Sequence, residues 1–276
     1  MNDFPLYLFD ITNSILEFFK KFNLIFVFNI ITSYPKSGNT WLRFILFKMY
    51  FEELELTSKN MTIYIPDFHE VFKNNKITLY EGLKGKKIFL KTHLSFQQME
   101  KLNISKIIII LRNPLDVLAS LINYYKIPEE KKNEVVNEFC STHTYTKISK
   151  KFNFPSWSEH LYSWTFSKKE FLLINYNDLL INFDDTLLKV SKFLNFEMTA
   201  KKIESIKKET SFDNLSKIEK YEKQNKVGGF FSMSVKDQNI NFMNKGKNKN
   251  YLEVFNIEQI KKLEDAFGNL IYKYNL

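Results

Sequence analysis

The sequence has little of the residues that build disulfides and metal centres. Its 276 residues include a single cysteine, Cys140, which excludes an intrachain disulfide and any metal site built from cysteines. The four histidines are widely spaced, and no two of them stand four residues apart, so no metal site is predicted. A single cysteine is also compatible with a reducing compartment.

Long hydrophobic runs are missing too. The most apolar segment, residues 24–31, is about as long as a strand and much shorter than the roughly 20 residues that a membrane span needs. Residues 1–22 predict an amphipathic helix that packs on the core, with contact to a membrane surface as the alternative. This stretch lacks the basic start and cleavage site of a secretory signal, so we expect a cytoplasmic location.

The charge is positive but diffuse. A formal net charge of +9 comes from 40 Lys and Arg against 31 Asp and Glu, scattered along the chain. This distribution suits an anionic small-molecule ligand better than nucleic acid, which we do not expect as a partner. With no repeat or linker in the sequence, residues 1–276 are predicted to form a single domain. Whether it acts as a monomer or as a homodimer is left open.

Apolar runs alternate with helical periodicity along the chain. Continuous apolar runs are typical of buried parallel strands. Four runs predict strands, at residues 24–32, 86–93, 106–111 and 170–175, and helices are predicted at 40–51, 114–125, 184–194 and 257–272. This alternation predicts an α/β fold, with a central mostly parallel β-sheet flanked by helices. The ligand is then expected at the carboxyl ends of the strands.

The first of these strands runs into the sequence "YPKSGNT". Gly38 would allow a tight turn, and the helix predicted from Thr40 would offer free N–H groups and the positive end of its dipole to an anion. Lys36 adds a mobile positive charge. In the familiar nucleoside-triphosphate loop the lysine follows the glycines, whereas here it precedes Gly38. The stretch therefore predicts a phosphate or sulfate site of a different kind.

Two motifs together carry a family resemblance. "YPKSGNTW" and "RNPLDVLAS" resemble the paired signature of sulfotransferases that use 3′-phosphoadenosine-5′-phosphosulfate (PAPS) and release adenosine 3′,5′-bisphosphate (PAP). The resemblance spans residues 24–255 and implies a P-loop-like nucleotide-binding architecture. It implies that the first loop holds the 5′-phosphosulfate through Lys36, Ser37, Gly38, Asn39 and Thr40. It also implies that Arg112 and Ser120 hold the 3′-phosphate.

Further segments extend this resemblance. "KTHL" resembles the segment with the catalytic base, which implies that His93 is the base; Lys36 and Lys91 would stabilise the charge that develops during transfer. The remaining nucleotide contacts that the resemblance implies are Trp41, Tyr176, Thr210, Phe212, Asn244, Lys245 and Gly246, with Trp41 and Phe212 stacking on the adenine. The pattern departs at Asn244, where the family has arginine, and at Tyr251, where it has tryptophan. Lys247 or Lys249 would substitute for the missing charge.

The acceptor and two alternative functions remain open in the sequence. We expect sulfuryl transfer to a small-molecule hydroxyl rather than to an amine, with an apolar or aromatic acceptor bound by residues 60–76, Phe96 or residues 124–140. Residues 226–250 are predicted to include a mobile lid. A phosphoryl-transfer kinase, with Asp116 or Asp178 binding Mg²⁺, and a non-catalytic nucleotide-binding protein are the alternatives. Trp41 could instead be a core residue, and Arg112 could pair with Asp116.

Overall fold

The computed structural model describes residues 27–68, 88–233, 242–243, 246 and 248–276. The predicted N-terminal helix at residues 1–22 lies outside the described residues. So do Asn244 and Lys245, and so does a large part of the predicted lid. Among the described helices, none combines the length and the apolar character that crossing a membrane requires.

Four strands form one parallel sheet in the described part of the chain. They are β1 (Phe28–Thr32), β2 (Ile88–Thr92), β3 (Ile104–Leu111) and β4 (Phe171–Asn175), in the spatial order β2-β1-β3-β4. Thr32, the last residue of β1, pairs with Thr92 of β2 and with Ile109 of β3. The carboxyl ends of neighbouring strands therefore meet at one edge of the sheet. This arrangement confirms the predicted α/β fold.

Helices connect and cover the strands. They are α1 (Asn39–Tyr50), α2 (Ser58–Tyr64), α3 (Phe96–Met99), α4 (Pro114–Tyr124), α5 (Glu129–Thr142), α6 (Thr146–Phe152), α7 (Trp157–Thr165), α8 (Tyr176–Ile181), α9 (Phe183–Phe193), α10 (Ala200–Glu209), α11 (Phe212–Asn225), α12 (Phe230–Met233) and α13 (Ile257–Tyr274), with a 3₁₀ turn at Asn250–Glu253. The four helices predicted from periodicity correspond to α1, α4, α9 and α13.

Three of the apolar runs form the buried strands β1, β2 and β3, whereas β4 is partly exposed. Successive side chains of a strand point to opposite faces, so Ile107 and Ile109 belong to one hydrophobic core while Ile108 and Ile110 belong to the other. All four side chains are buried. Burying one such side chain contributes roughly 1.5–3 kcal/mol, so the two cores hold the central strands firmly. The loops that follow these strands are therefore anchored to a well-packed sheet.

The helix starts differ in a way that matters for function. α4 begins with Pro114 at its first turn, and the side chain of Asn113 accepts a hydrogen bond from the N–H of Leu115. α1 has no such side-chain cap, and its first turn contains no acidic residue. The backbone N–H groups at the start of α1 are therefore available to an anion from outside the helix.

Candidate active site

The loop between β1 and α1 bends tightly against an aromatic ring. Lys36 and Gly38 both have left-handed backbone conformations, with φ of 67° and 101°. A Cβ atom at Gly38 would lie 2.4 Å from Cδ2 of Tyr176, the first residue of α8. Glycine is therefore required both by the backbone conformation and by the space. Asn39 stabilises the bend, because its Nδ2 donates a hydrogen bond to Oγ of Ser33 at 3.2 Å.

This loop also contains a buried hydroxyl group without a partner. The Oγ of Ser37 makes no hydrogen bond to the described residues, although the side chain is almost completely buried. A buried polar group of this kind normally has a partner, and here it lies beside the free N–H groups of the uncapped helix α1. Amide and hydroxyl donors at a helix N-terminus are the donors that a phosphate or sulfate group binds. The loop therefore fits the phosphosulfate end of a nucleotide.

A second cation approaches the loop from the neighbouring strand. Arg112 follows β3, and its Nη1 donates a hydrogen bond to the backbone oxygen of Lys36 at 3.1 Å. The guanidinium carbon lies 4.4 Å from the centroid of the Tyr176 ring. Arg112 is thus on the same edge of the sheet as the loop, and both face one cavity.

His93 follows β2 at this same edge. Its Nδ1 lies 2.6 Å from the backbone oxygen of Ser33, and since a carbonyl oxygen only accepts, Nδ1 carries the proton. The Nε2 atom is then left with its lone pair. Burial and, to a smaller extent, the charge of Lys91 hold the pKa of His93 well below its usual range. The side chain is therefore a neutral imidazole at neutral pH, ready to accept a proton.

One cavity of about 550 Å³ joins these groups. Trp41 and Phe212 line one part of it, and the Nε1 of Trp41 donates a hydrogen bond to the backbone oxygen of Thr210 at 2.8 Å. A Cβ at Gly246 would lie 2.4 Å from Cδ2 of Phe212, so the chain packs closely on that ring. The cavity therefore combines aromatic lining residues with the uncapped start of α1.

Comparison with known proteins agrees with this geometry. The family model "Sulfotransferase domain" matches residues 29–275. The chain belongs to the sulfotransferase family. It is 25% identical over 250 residues to cytosolic sulfotransferase 1 of Danio rerio, covering 86% of this chain and 80% of that protein. Sulfotransferase 2A2 of Rattus norvegicus is 27% identical over 250 residues, with 86% and 82% covered.

A solved structure has the same fold as this sulfotransferase. Mouse sulfotransferase SULT7A1 complexed with PAP superposes with a TM-score of 0.60 at 22% identity, over 88% of this chain and 82% of that one. The match confirms the predicted P-loop-like fold. Together with the family model, it confirms the sulfotransferase predicted from the two motifs.

Most residues that the sequence indicated line this cavity of the sulfotransferase: Lys36, Gly38, Asn39, Thr40, Trp41, Lys91, His93, Arg112, Ser120, Tyr176, Phe212 and Gly246. Ser37 and Thr210 are buried beside it and do not line it. Asn244 and Lys245 lie outside the described residues. Trp41 contacts both the cavity and the rings of Tyr176 and Phe183, so it is a packing residue and a lining residue at once.

Lys91 and Asp116 have contacts that motifs alone do not show. The ammonium of Lys91 is paired with the carboxylate of Asp67, which also lines the cavity. Asp116 is fully buried, and its two oxygens accept the backbone N–H groups of Lys249 at 3.0 Å and Tyr251 at 3.1 Å. Asp116 thereby fixes the C-terminal segment in which Asn250, between these two residues, lines the cavity.

Several lining residues were not singled out from the sequence: Arg43, Asp67, Lys207, Ser211 and Asn250. Of these, Asp67 lies within the predicted acceptor segment 60–76 and Asn250 within the predicted lid 226–250. Arg43 is buried, with Nε and Nη2 donating to the backbone oxygen of Ile65 at 2.9 and 2.5 Å. It lies four residues after Asn39, one helical turn along α1, and that spacing could have indicated it. Asp67 has no such signal, because the chain after α2 is brought beside Lys91 by tertiary packing.

The apolar end of the cavity is only partly the predicted one. Tyr124 and Tyr125 line it, as expected for residues 124–140. Tyr64, Phe68 and Phe96 do not, and Phe72 lies outside the described residues. The cavity wall is completed instead by Ile148, Phe152 and Phe154, and the ring of Phe154 lies edge-on to His93 with centroids 5.4 Å apart.

Proposed function

We propose that this sulfotransferase transfers a sulfuryl group from PAPS to a small-molecule hydroxyl, with His93 as the base. The observation that carries the proposal is the tautomer of His93. The backbone oxygen of Ser33 fixes the proton on Nδ1, so that Nε2 is the basic atom in a cavity that also contains the anion-binding loop. A general base and an anion site in one cavity are the two parts that in-line transfer requires.

The described residues suit the two ends of the nucleotide. The N–H groups at the start of α1, the hydroxyl of Ser37 and the ammonium of Lys36 would bind the phosphosulfate, and Arg112 with Ser120 would bind the 3′-phosphate. Trp41 and Phe212 would stack on the adenine. Bound PAPS supplies the activated sulfuryl group. The protein supplies position and charge.

Each residue then has a defined part in the transfer. Nε2 of His93 accepts the proton of the acceptor hydroxyl while a bond forms between the acceptor oxygen and sulfur. The bond between sulfur and the phosphate oxygen breaks, and the charge that grows on this oxygen is stabilised by Lys36 and the loop amides. The products are a sulfate ester and PAP, and the proton remains on His93 until solvent removes it.

The cavity favours a neutral apolar acceptor with a hydroxyl group. Tyr124, Tyr125, Ile148, Phe152 and Phe154 give the acceptor end an aromatic and aliphatic wall. Most amines are protonated at neutral pH, and an ammonium would have to enter beside the cation Lys36, while the charge of Lys91 is balanced by Asp67. A phenol or alcohol enters without that repulsion. We therefore infer an aromatic or alicyclic alcohol or phenol.

The test is incubation of the purified chain with PAPS and a panel of phenols, alicyclic alcohols, amines and glycans. We expect PAP release that depends on acceptor, with the mass of one sulfate added to phenols or alcohols, and equal rates with Mg²⁺ and with a chelator. PAP binding without transfer to any acceptor would support the non-catalytic alternative. A strict Mg²⁺ requirement would contradict the proposed transfer, and so would failure to bind PAP.

A further inference from the structure

The side chain of Lys36 lies between two aromatic rings. Its Nζ is 4.1 Å from the centroid of the Tyr124 ring and 4.3 Å from that of the Phe242 ring. The two rings are nearly perpendicular, at 84°, with centroids 6.2 Å apart. A cation this close to two aromatic faces is attracted by both, most strongly where water is excluded. The two rings form an aromatic cage around the ammonium.

A buried carboxylate on helix α11 holds one wall of this cage. Glu219 is 2% exposed, and its two oxygens accept the backbone N–H groups of Phe242 at 2.6 Å and Met243 at 2.7 Å. The ammonium of Lys223, one turn along the helix, lies 2.5 Å from Oε1 of Glu219. These contacts fix the backbone at Phe242, while its ring also packs against Phe230 with centroids 4.7 Å apart.

We propose that Phe242, held by Glu219, is a positioning residue that keeps the ammonium of Lys36 charged and in place at the anion-binding loop. The inference rests on the proposed function, in which the charge of Lys36 stabilises the leaving group. Because PAPS transfers its sulfuryl group beside this loop, a neutral or displaced lysine would leave the growing negative charge without its nearest ammonium.

The surroundings of Lys36 show why it needs such support. Burial, and then the charge of Arg112, lower the pKa of Lys36 to about 7, and among the charged neighbours only the carboxylate of Glu219 acts to raise it. Besides Arg112 and Glu219, the titratable side chain of Tyr124 also faces the ammonium. Its phenol is neutral, because burial raises its pKa above the ordinary tyrosine value. Glu219 thus favours the charged lysine in two ways, by its own charge and by placing the Phe242 ring.

The experiment measures the titration of Lys36 directly. The chain is acetylated with trace acetic anhydride over a range of pH, and labelling of the Lys36 peptide is quantified by mass spectrometry for wild type, Phe242→Leu and Phe242→Tyr. Leucine keeps the apolar volume and removes the ring, so we expect the pH midpoint of Lys36 labelling to fall by about half a unit to one unit. Tyrosine keeps the ring, so the midpoint should stay at the wild-type value. Equal midpoints in all three proteins would overturn the role of the ring.

Glu219→Gln tests the anchor, and Glu222→Gln is its matched control. Glu222 is also buried on α11, and its carboxylate accepts hydrogen bonds from the N–H of Ser58 at 2.6 Å and from the Ser58 hydroxyl. Both variants are expected to lose thermal stability, but only Glu219→Gln should lower the Lys36 midpoint. If both variants or neither shift it, the anchoring role is wrong.

Catalysis gives a second measurement. The alkaline limb of the pH profile of kcat/KM reports groups of the free enzyme that must stay protonated. It should move to lower pH in Phe242→Leu and Glu219→Gln, and stay in place in Phe242→Tyr and Glu222→Gln. The labelling experiment needs no turnover, so it tests the cage even if no acceptor is sulfated. Loss of the proposed function would appear only in the acceptor panel.

Discussion

His93 shows how a single hydrogen bond can decide a residue's chemistry. The backbone oxygen of Ser33 fixes the tautomer, and burial keeps the ring neutral. Ser33 follows β1, which is itself held between two hydrophobic cores, and the ring of Phe154 packs edge-on against His93. The base is thereby oriented by the sheet and does not depend on a flexible loop for its direction.

Replacing His93 with glutamine tests its role as base. Glutamine cannot accept a proton at neutral pH, so kcat should fall by about 100-fold to 10,000-fold. The dissociation constant of PAP, measured by calorimetry, should change by less than about threefold, because the proposed role of His93 is to contact the acceptor and not the adenosine. A loss of PAP affinity equal to the loss in rate would indicate a structural role.

The same residue gives a pH dependence with a definite sign. Because the pKa of His93 is lowered, the neutral base persists below pH 6.5 and is lost only as the pH falls through that lowered value. The acid limb of wild-type kcat/KM should therefore lie well below pH 6.5, and Glu222→Gln should leave it in place. An acid limb near the ordinary histidine value would contradict the burial of His93.

At the scale of elements, the sheet was predictable because its signal is local. "KIIIIL" and "EFLLIN" are continuous apolar runs, and they form the buried β3 and the neighbouring β4. The loop after β1 was predictable for the same reason, since Lys36, Gly38 and Thr40 are adjacent in sequence. The cage around Lys36 was not, because Tyr124 and Phe242 are far apart along the chain and meet only by packing. The Lys91–Asp67 ion pair likewise depends on tertiary contacts.

The turn between β1 and α1 gives a prediction with an internal control. In Gly38→Ala a new Cβ would meet Tyr176 at 2.4 Å, in a backbone conformation with φ of 101°. Strain and overpacking together should lower the free energy of unfolding by about 2–4 kcal/mol and weaken PAP binding by about tenfold or more. The measurements are denaturant unfolding and calorimetric titration with PAP.

Gly228→Ala separates the two causes. Gly228 has a φ of 79°, but a Cβ there would meet nothing within 4 Å. Only the strain of the left-handed backbone conformation should act in this variant, so its free energy of unfolding should fall by about 1–2 kcal/mol. If the two variants lose equal stability, the close approach of Gly38 to Tyr176 adds no energetic cost.

At the scale of the whole molecule, the cavity draws on nearly the full described chain. Lys36 comes from the first loop, His93 and Arg112 from the ends of two further strands, and Gly246 and Asn250 from the C-terminal segment. Asp116 and Glu219 fasten this segment by accepting its backbone N–H groups. A nucleotide bound here would contact both this C-terminal segment and the sheet edge. Its binding should therefore stabilise the whole fold.

The melting temperature therefore provides the test at this scale. A ligand that binds only the folded state at 100 times its dissociation constant adds about 2.7 kcal/mol. For a chain of this size that corresponds to a rise of roughly 5–10 °C in Tm. We expect PAP to produce this rise equally with Mg²⁺ and with EDTA. At the same concentration, adenosine 5′-monophosphate should produce a much smaller rise, because it has no 3′-phosphate for Arg112 and Ser120. Equal shifts in Tm from the two nucleotides would show that the 3′-phosphate is not bound. A PAP effect that requires Mg²⁺ would mean that the loop after β1, Lys36 and Arg112 do not suffice to bind the nucleotide.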